Sequence, residues 1–382
     1  MGASQLAVRP IEASLHAGNL RSHPHASFLQ FPEWANVKPD WRPETLGWFD
    51  AGGTLRGSAL VLHRPAPLLK KTLAYVPEGP VLEWDTVDLA AYLDPLLAYL
   101  LAGGAFLVRM GPPLVLRTWA AEEVRHALSA GGHRLMTELE PEHTGAVAAS
   151  VGSALSALGW KRNATTEDFA AGQPEFQARL PLAGAEGRRL DAGVVLAHMD
   201  QSSRRQTRKS AGAGLQITEG TEADFAAWHA LYRETAERDG FTGRPAAYFE
   251  TMFRALNAAE PGSCVLYLAR HEGRLLAAAI YVRRGRVAWY VYGASSSEER
   301  KLYASRALQY RQMTEAIAAG CDWYDLGGLS ATLDLGHHLA GLTLFKTTLG
   351  CDVVQTLGEW DYPLNRPLAA AFDLYLKRRG RH

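Results

Sequence analysis

The sequence has no excess of charge of one sign and no apolar run long enough to cross a membrane. Lysine plus arginine number 40 and aspartate plus glutamate number 40, so any contact with RNA needs a local basic patch. The longest apolar run, Tyr92 to Leu101, contains Asp94 and Pro95 and is shorter than a bilayer requires. We therefore expect a cytoplasmic protein.

Cysteine is rare, and the common catalytic and metal-binding motifs are missing. Cys264, Cys321 and Cys351 lie apart in apolar segments, which is typical of reduced, buried thiols. His337 and His338 are adjacent, so they cannot share one face of a helix or strand as metal ligands would. Neither a Gly-x-Ser-x-Gly elbow nor a P-loop occurs. The sequence predicts no metal and no resident cofactor.

Two parts of the chain repeat one order of predicted elements: strand, strand, helix, strand. The first copy comprises residues 55–63, 72–76, 87–101 and 105–110. The second copy comprises residues 275–282, 287–292, 299–319 and 321–326. Residues 55 and 275 lie 220 positions apart, and residues 107 and 324 lie 217 apart, which indicates an internal duplication.

This order resembles the GNAT acyltransferase fold, and 382 residues are enough for about two domains. We predict an α+β protein of two tandem GNAT-like domains, at 1–159 and 160–359, each a mixed β-sheet flanked by helices. Enzymes of this fold that use acetyl-CoA bind pyrophosphate in a glycine-rich loop at a helix start. Pro77-Glu78-Gly79-Pro80 and the serines of 293–300 form no such loop, so coenzyme A is not expected.

The stretch at 321–350 combines a short apolar strand with a lysine that is flanked by apolar residues. The strand, Cys321 to Leu326, is expected to stop at Gly327-Gly328, so that Asp325 faces a loop at a strand end. Lys346 follows Phe345. Its side chain either lies along the apolar surface with the ammonium in solvent, or holds its charge in a fixed position at a functional site.

The strongest basic cluster lies at residues 201–214. Arg204 and Arg208 are four positions apart and share one face of a predicted helix. Two guanidinium groups on one face can bind a diphosphate or an RNA backbone, although such a helix can equally be solvated.

Five separated motifs resemble those of the FemABX family, the aminoacyl-tRNA-dependent transferases that build peptidoglycan cross-bridges. They are SFxQxxxWxxxK at 27–38, the basic helix at 201–214, RDGFxxRxxxY at 238–248, YDxGG at 324–328 and GLxxFK at 341–346. The family's C-terminal helix returns to the first domain, which implies the same for 360–382. One departure is Glu78, where a basic residue often precedes Gly-Pro-Val, and it puts a phosphate contact from that loop in doubt.

The resemblance implies two groups of site residues. The acceptor is expected to contact Lys38, Tyr75, Arg204, Arg208, Arg244 and Tyr248, with Lys38 and Arg204 at its phosphates. The catalytic group is expected to be Asp325, Phe345 and Lys346. In this catalytic group Lys346 would face the ester oxygen on which negative charge develops. Either Asp325 or the substrate itself would remove the proton from the acceptor amine.

The implied activity transfers glycine, alanine or serine from aminoacyl-tRNA to the side-chain amine of a peptidoglycan stem peptide. The acceptor would be lipid II or UDP-MurNAc-pentapeptide, and the enzyme a monomer in peripheral contact with the inner membrane face. Two alternatives stay open: a tRNA-dependent transferase acting on a peptide natural product, and a GNAT-type acyl-CoA N-acyltransferase.

Overall fold

Two mixed β-sheets form the framework of the protein. The computed structural model describes residues 6–66, 69–85, 88–163, 172–184 and 187–379. The strands in these ranges are β1 (Ala7–Pro10), β2 (Arg42–Phe49), β3 (Leu55–Pro65), β4 (Thr72–Val76), β5 (Ala105–Met110), β6 (Val115–Trp119), β7 (His143–Thr144), β8 (Lys161–Arg162), β9 (Phe176–Pro181), β10 (Gln216–Glu219), β11 (Cys264–His271), β12 (Arg274–Arg284), β13 (Val287–Ser295), β14 (Trp323–Leu329), β15 (Asp352–Thr356) and β16 (Trp360–Pro363). The α-helices are α1 (Ala13–Ser22), α2 (Leu89–Ala102), α3 (Ala121–Ala130), α4 (Ala146–Ala157), α5 (Ala192–His198), α6 (Gln201–Ala211), α7 (Phe225–Asp239), α8 (Ala246–Ala259), α9 (Ala304–Ala318), α10 (Ala340–Thr348) and α11 (Arg366–Arg379).

The predicted repeat is present in both sheets. The first sheet has the order β1-β2-β3-β4-β5-β16-β8, and the second has β10-β11-β12-β13-β14-β9-β15-β6-β7. In the first, α2 connects the parallel strands β4 and β5, and in the second, α9 connects the parallel strands β13 and β14. The α+β prediction is confirmed. Within the described ranges, no helix combines the length and apolar character needed to cross a bilayer.

Helix α2 shows why the first connection forms. The carboxylate of Asp88 caps the helix by accepting hydrogen bonds from the backbone N–H groups of Ala90 and Ala91. Its buried residues, Leu89, Leu93, Leu96 and Leu100, recur at spacings of three and four, so one face packs into the core of the first sheet.

The sheets exchange segments across residue 159. Strands β6 and β7 precede it but belong to the second sheet, while β8 and β16 follow it and belong to the first. Helix α11 packs on β5, where the rings of Phe372 and Phe106 lie 5.4 Å apart. Helix α11 thus contacts the first sheet, and the domain division expected at 159, with the C-terminal segment completing the first domain, stays a prediction.

Strand β14 corrects the expectation for the paired glycines. The strand does not stop at Gly327 but continues to Leu329, and its pairing with β9 shifts register between Asp325 and Gly328. Gly327 has a φ of 77°, which a residue with a side chain rarely adopts, so the glycines form a β-bulge instead of a strand end. Asp325 is therefore inside a strand and only 3% exposed.

A third core cluster joins the two halves of the chain. Phe28, Trp34 and Val37, from the segment that follows α1, pack with Trp228 of α7 and Phe249 of α8. Contact with α8 fixes the end of this segment, where Lys38 lies, against the second sheet.

Candidate active site

A cleft of about 500 Å³ lies between the two sheets. We call it the main cleft. Five of the predicted site residues line it together: Lys38, Tyr75, Arg244, Tyr248 and Asp325. The motifs that supply them are far apart in sequence, and the packing of the 28–37 segment on the second half brings them to one surface.

Lys38 stands at the end of two short 3₁₀ turns that its motif builds. The Ser27 hydroxyl caps the first turn by accepting a hydrogen bond from the N–H of Leu29. The second turn, Pro32–Val37, buries Trp34, and the Lys38 ammonium lies 5.5 Å from the Trp34 ring centroid and 5.3 Å from that of Tyr248. These contacts are typical of cation–π interactions and orient the lysine into the cleft.

Arg244 adds a second positive charge beside Lys38 in the main cleft. Its guanidinium lies 4.7 Å from the Tyr248 ring centroid. Burial and the charge of Arg244 lower the pKa of Lys38 from 10.5 to about 8. Among the described residues no carboxylate lies within ion-pairing distance of either cation. Two neighbouring cations without a counterion favour the binding of an anion.

Carboxylates also line the main cleft. Asp325 Oδ2 lies 3.0 Å from Arg179 Nε, and Arg179 Nη2 donates to Gln177 Oε1 at 2.7 Å. The Gln177 amide donates to Glu78 Oε1 at 3.4 Å. Arg179 thus neutralises one carboxylate and orients the amide that contacts the other.

Tyr75 belongs to a second polar group of the main cleft, which also contains Glu359 and Arg109. Its hydroxyl donates to Glu359 Oε1 at 2.6 Å. Burial raises the pKa of Glu359, and the hydrogen bond from Tyr75 and the charge of Arg109 oppose that rise. Arg109 in turn forms a two-point ion pair with Asp361, with both N–O distances 2.7 Å. The position of Tyr75 is therefore set by residues near the C-terminus of the chain.

Lys346 lies on the far side of the bulge in β14. It is 4% exposed on α10, and its Nζ donates to the Gly328 carbonyl oxygen at 2.7 Å. Burial lowers the pKa of Lys346 from 10.5 to about 8, and the charge of Asp325 opposes that fall. The Asp325 carboxylate accepts from the Gly327 N–H at 2.7 Å. Asp325 and Lys346 therefore each hold one glycine of the bulge by a hydrogen bond.

A cavity of about 590 Å³ lies beyond α10, and we call it the α9 cavity. Phe345 lines it together with Arg238, Arg300 and Arg306, and the Arg306 guanidinium stacks 4.7 Å from the Phe345 ring centroid. Strands β13 and β14 pair over only three residues each before they diverge. The Phe345-Lys346 pair stands between this cavity and the bulge that borders the main cleft.

A second cleft, of about 400 Å³, adjoins the main cleft. We call it the tryptophan cleft, because Trp84, Trp289 and Trp323 line it. Glu78 and Gln177 line both clefts, so their side chains form the wall between them.

Arg204 and Arg208 are not brought to Lys38. Arg204 Nη1 donates to the backbone carbonyl oxygens of Ala197 and Met199 at 2.9 and 3.3 Å, at the end of α5. Arg208 is exposed on α6. Arg244 is the arginine that the structure brings beside Lys38, and a phosphate contact from the α6 arginines stays a prediction.

Sequence reasoning missed several polar residues of the wall, namely Arg109, Gln177, Arg179 and Glu359. Strand β9 carried a usable signal, because Phe176, Ala178 and Leu180 alternate into the core and leave Gln177 and Arg179 on the other face. Glu359 lies in the turn between β15 and β16, where no local pattern marks it.

Comparisons with known proteins give consistent results. The FemAB family model matches residues 12–259 and 265–377. Lipid II:glycine glycyltransferase of Staphylococcus aureus (strain USA300) is 23% identical over 426 aligned positions, covering 92% of each chain. The crystal structure of FemX superposes with a TM-score of 0.79 at 22% identity, over 95% of this chain and 99% of that one. A tandem GNAT protein from the clavulanic acid pathway gives a TM-score of 0.51 at 10% identity, over 94% and 98%, which shows a shared fold.

Proposed function

The chain belongs to the FemAB family and is an acyltransferase, and we propose that it transfers an amino acid from aminoacyl-tRNA to a peptidoglycan precursor. The acceptor group is the side-chain amine of the stem peptide, carried by lipid II or by UDP-MurNAc-pentapeptide. The amino acid is glycine, alanine or serine. The relative's name, lipid II:glycine glycyltransferase, supports the acceptor class.

One observation carries the proposal. The main cleft is lined by Lys38 and Arg244 and also by Asp325 and Gly327 of the bulge that Lys346 contacts. The first pair suits the diphosphate that both forms of the precursor contain, because lysine and arginine bind phosphate oxygens through charge-assisted hydrogen bonds. The acceptor's peptide then extends along the cleft towards the bulge.

The α9 cavity suits the donor. The phosphodiester backbone of an aminoacyl-tRNA is a polyanion, and Arg300 and Arg306 offer guanidinium groups at the cavity that Phe345 also lines. The carboxylates of this cavity, Asp239, Glu298 and Glu299, are already paired with Arg238 and Arg274. The acyl end of the donor contacts Phe345 and approaches the main cleft where β13 and β14 diverge.

The chemical step requires positioning and charge stabilisation. The aminoacyl ester is already activated, so the amine attacks its carbonyl carbon once the two are held together. Negative charge then develops on the carbonyl oxygen. Lys346 stabilises it by directing towards it the ammonium that in the free protein donates to Gly328. Burial strengthens this effect, since a charge acts more strongly in a partly dehydrated site than in water.

The test is a transfer assay with purified protein, a mixture of charged tRNAs and either lipid II or UDP-MurNAc-pentapeptide. We expect one amino acid to appear on the precursor, detected by mass spectrometry, only when the tRNA is charged. Uncharged tRNA with the free amino acid serves as the control. Transfer from acetyl-CoA, or no transfer to either precursor, would contradict the proposal.

A further inference from the structure

Glu78 differs from the other two carboxylates that line the main cleft, Asp325 and Glu359, in having no ion-pair partner; Glu359 lies 3.9 Å from Arg109. The Glu78 carboxylate accepts a hydrogen bond from the Gln177 amide at 3.4 Å, and that donor is neutral. Asp325 is instead paired with Arg179 at 3.0 Å and also accepts a backbone N–H. Within the described part of the chain, no lysine or arginine lies within ion-pairing distance of Glu78. Glu78 is therefore the carboxylate of the main cleft that has no ion-pair partner among the described residues.

The loop that carries Glu78 is held firmly. Gln30 Nε2 donates to the Pro77 carbonyl oxygen at 2.6 Å, and Gln30 Oε1 accepts from the Leu60 N–H at 2.9 Å. Glu78 has a φ of 44°, a left-handed conformation that costs a residue with a side chain about 1–2 kcal/mol. The surrounding contacts thus hold this carboxylate in the wall that borders both clefts.

Charge along the main cleft matches a ligand with an anionic and a cationic end. Arg244 is the charged group that acts on Lys38. The charged and polar groups that act on Glu78 are different ones, namely Asp325, Arg179, Ser27 and Gln177, and Glu78 in turn acts on Tyr75. Lys38 and Arg244 both contact the ring of Tyr248, whereas Glu78 contacts Gln177, and the two groups line the same cleft. A precursor with a diphosphate at one end and an alkylammonium at the other is complementary to both.

Resting on the proposed function, we propose that Glu78 is a further catalytic residue that binds the acceptor ammonium and takes its proton. The carboxylate accepts one proton and leaves a neutral amine. The amine nitrogen bonds to the ester carbon, and the bond from that carbon to the ribose oxygen of the tRNA breaks. A second proton passes from the nitrogen to the ribose oxygen, which leaves as a hydroxyl, and Glu78 later releases its proton to solvent.

The surroundings of Glu78 favour this proton transfer. Burial raises the pKa of Glu78, the Ser27 hydrogen bond opposes the rise, and the charge of Asp325 adds to it. A raised pKa makes a carboxylate a better proton acceptor near neutral pH. An alkylammonium has a pKa of about 10.4 in water, but partial burial disfavours both charges and so favours the neutral amine and carboxylic acid. Asp325 is the weaker candidate because its oxygens are already engaged.

The experiment compares two acceptors in Glu78→Gln. One precursor carries the natural amine, and the other carries an aminooxy group at the same position, which is already neutral at pH 7. We expect the variant to lose about 100-fold or more in kcat with the amine, as for a lost general base, and only a few-fold with the aminooxy acceptor. Glu83→Gln is the matched control, since Glu83 is 72% exposed on the same stretch and pairs with His23. We expect it to react normally with both acceptors.

Equal losses with both acceptors, or no loss with the amine, would refute the role of Glu78. Glu78→Asp, which keeps a carboxylate on a shorter chain, should recover part of the amine activity, and no recovery in a folded variant would count against proton transfer. Thermal unfolding of each variant checks the fold. If the wild type transfers nothing to either precursor, the proposed function fails and this inference with it. Normal transfer by Glu78→Gln removes the inference alone.

Discussion

Replacing Lys346 by methionine separates a catalytic role from a structural one. Methionine keeps much of the length of the side chain and removes the charge, while its thioether still packs in an apolar site. If the ammonium stabilises the oxyanion, the loss resembles removal of one oxyanion donor, which typically lowers kcat by about 100- to 1000-fold. The acceptor KM should change little, because the proposed phosphate contacts, Lys38 and Arg244, line the main cleft and are left intact.

The stability of the same variant should be nearly unchanged at pH 7. The fall in the pKa of Lys346 from 10.5 to about 8 corresponds to about 3 kcal/mol of cost for burying the charge. The hydrogen bond to the Gly328 carbonyl stabilises the folded wild type by about 1.5–3 kcal/mol, and the variant loses it. The two effects therefore nearly cancel. The folded protein releases this proton near pH 8 and the unfolded chain near 10.5. The wild type should therefore gain stability relative to the variant as pH rises through that window.

The assay is steady-state transfer with each substrate varied in turn, alongside urea unfolding of the same preparations. Wild-type kcat should fall as pH rises through about 8, where Lys346 loses its charge, and the variant should lack that decrease. Lys71→Met, at an exposed position, is the control and should behave as the wild type. A well-folded Lys346→Met with nearly wild-type kcat would show that the lysine only holds the bulge, and the catalytic role would be rejected.

Three further predictions concern the anion site, the coenzyme and the bulge. Lys38→Ala and Arg244→Ala should each raise the acceptor KM roughly 10- to 100-fold while the dependence on charged tRNA stays the same, because a charge-assisted hydrogen bond to phosphate is lost. Arg204→Ala should raise the acceptor KM less than Arg244→Ala does. A larger effect of Arg204→Ala would support the sequence-based assignment of Arg204 to the acceptor phosphates. Wild-type acceptor KM should itself rise above pH of about 8, as Lys38 loses its proton. Calorimetric titration with acetyl-CoA should show no saturable binding, since neither loop forms a glycine cradle, and a micromolar Kd would overturn this. Gly327→Ala should lower the free energy of unfolding by about 1–2 kcal/mol, because its φ of 77° strains any side chain. Gly341→Ala in α10, where an added Cβ meets nothing within 4 Å, should cost nothing, and equal effects of the two substitutions would argue against backbone strain.

The sequence by itself determined the elements and the duplication. Strands β4 and β5 have the predicted bounds, and α2 lies where the apolar spacing and its C-terminal glycines indicated. The motif residues Lys38 and Tyr248 were also identifiable. Periodicity, capping and turn residues act over a few positions, so a single stretch of chain carries the information.

Only the tertiary structure decided which polar groups meet. Arg179 and Asp325 pair across 146 positions, and Tyr75 and Glu359 across 284. The paired glycines were expected to end a strand, but pairing with β9 and the hydrogen bonds of Asp325 and Lys346 make them a bulge. No local pattern encodes these contacts, because each depends on how two sheets pack and on which side chains that packing deprives of water.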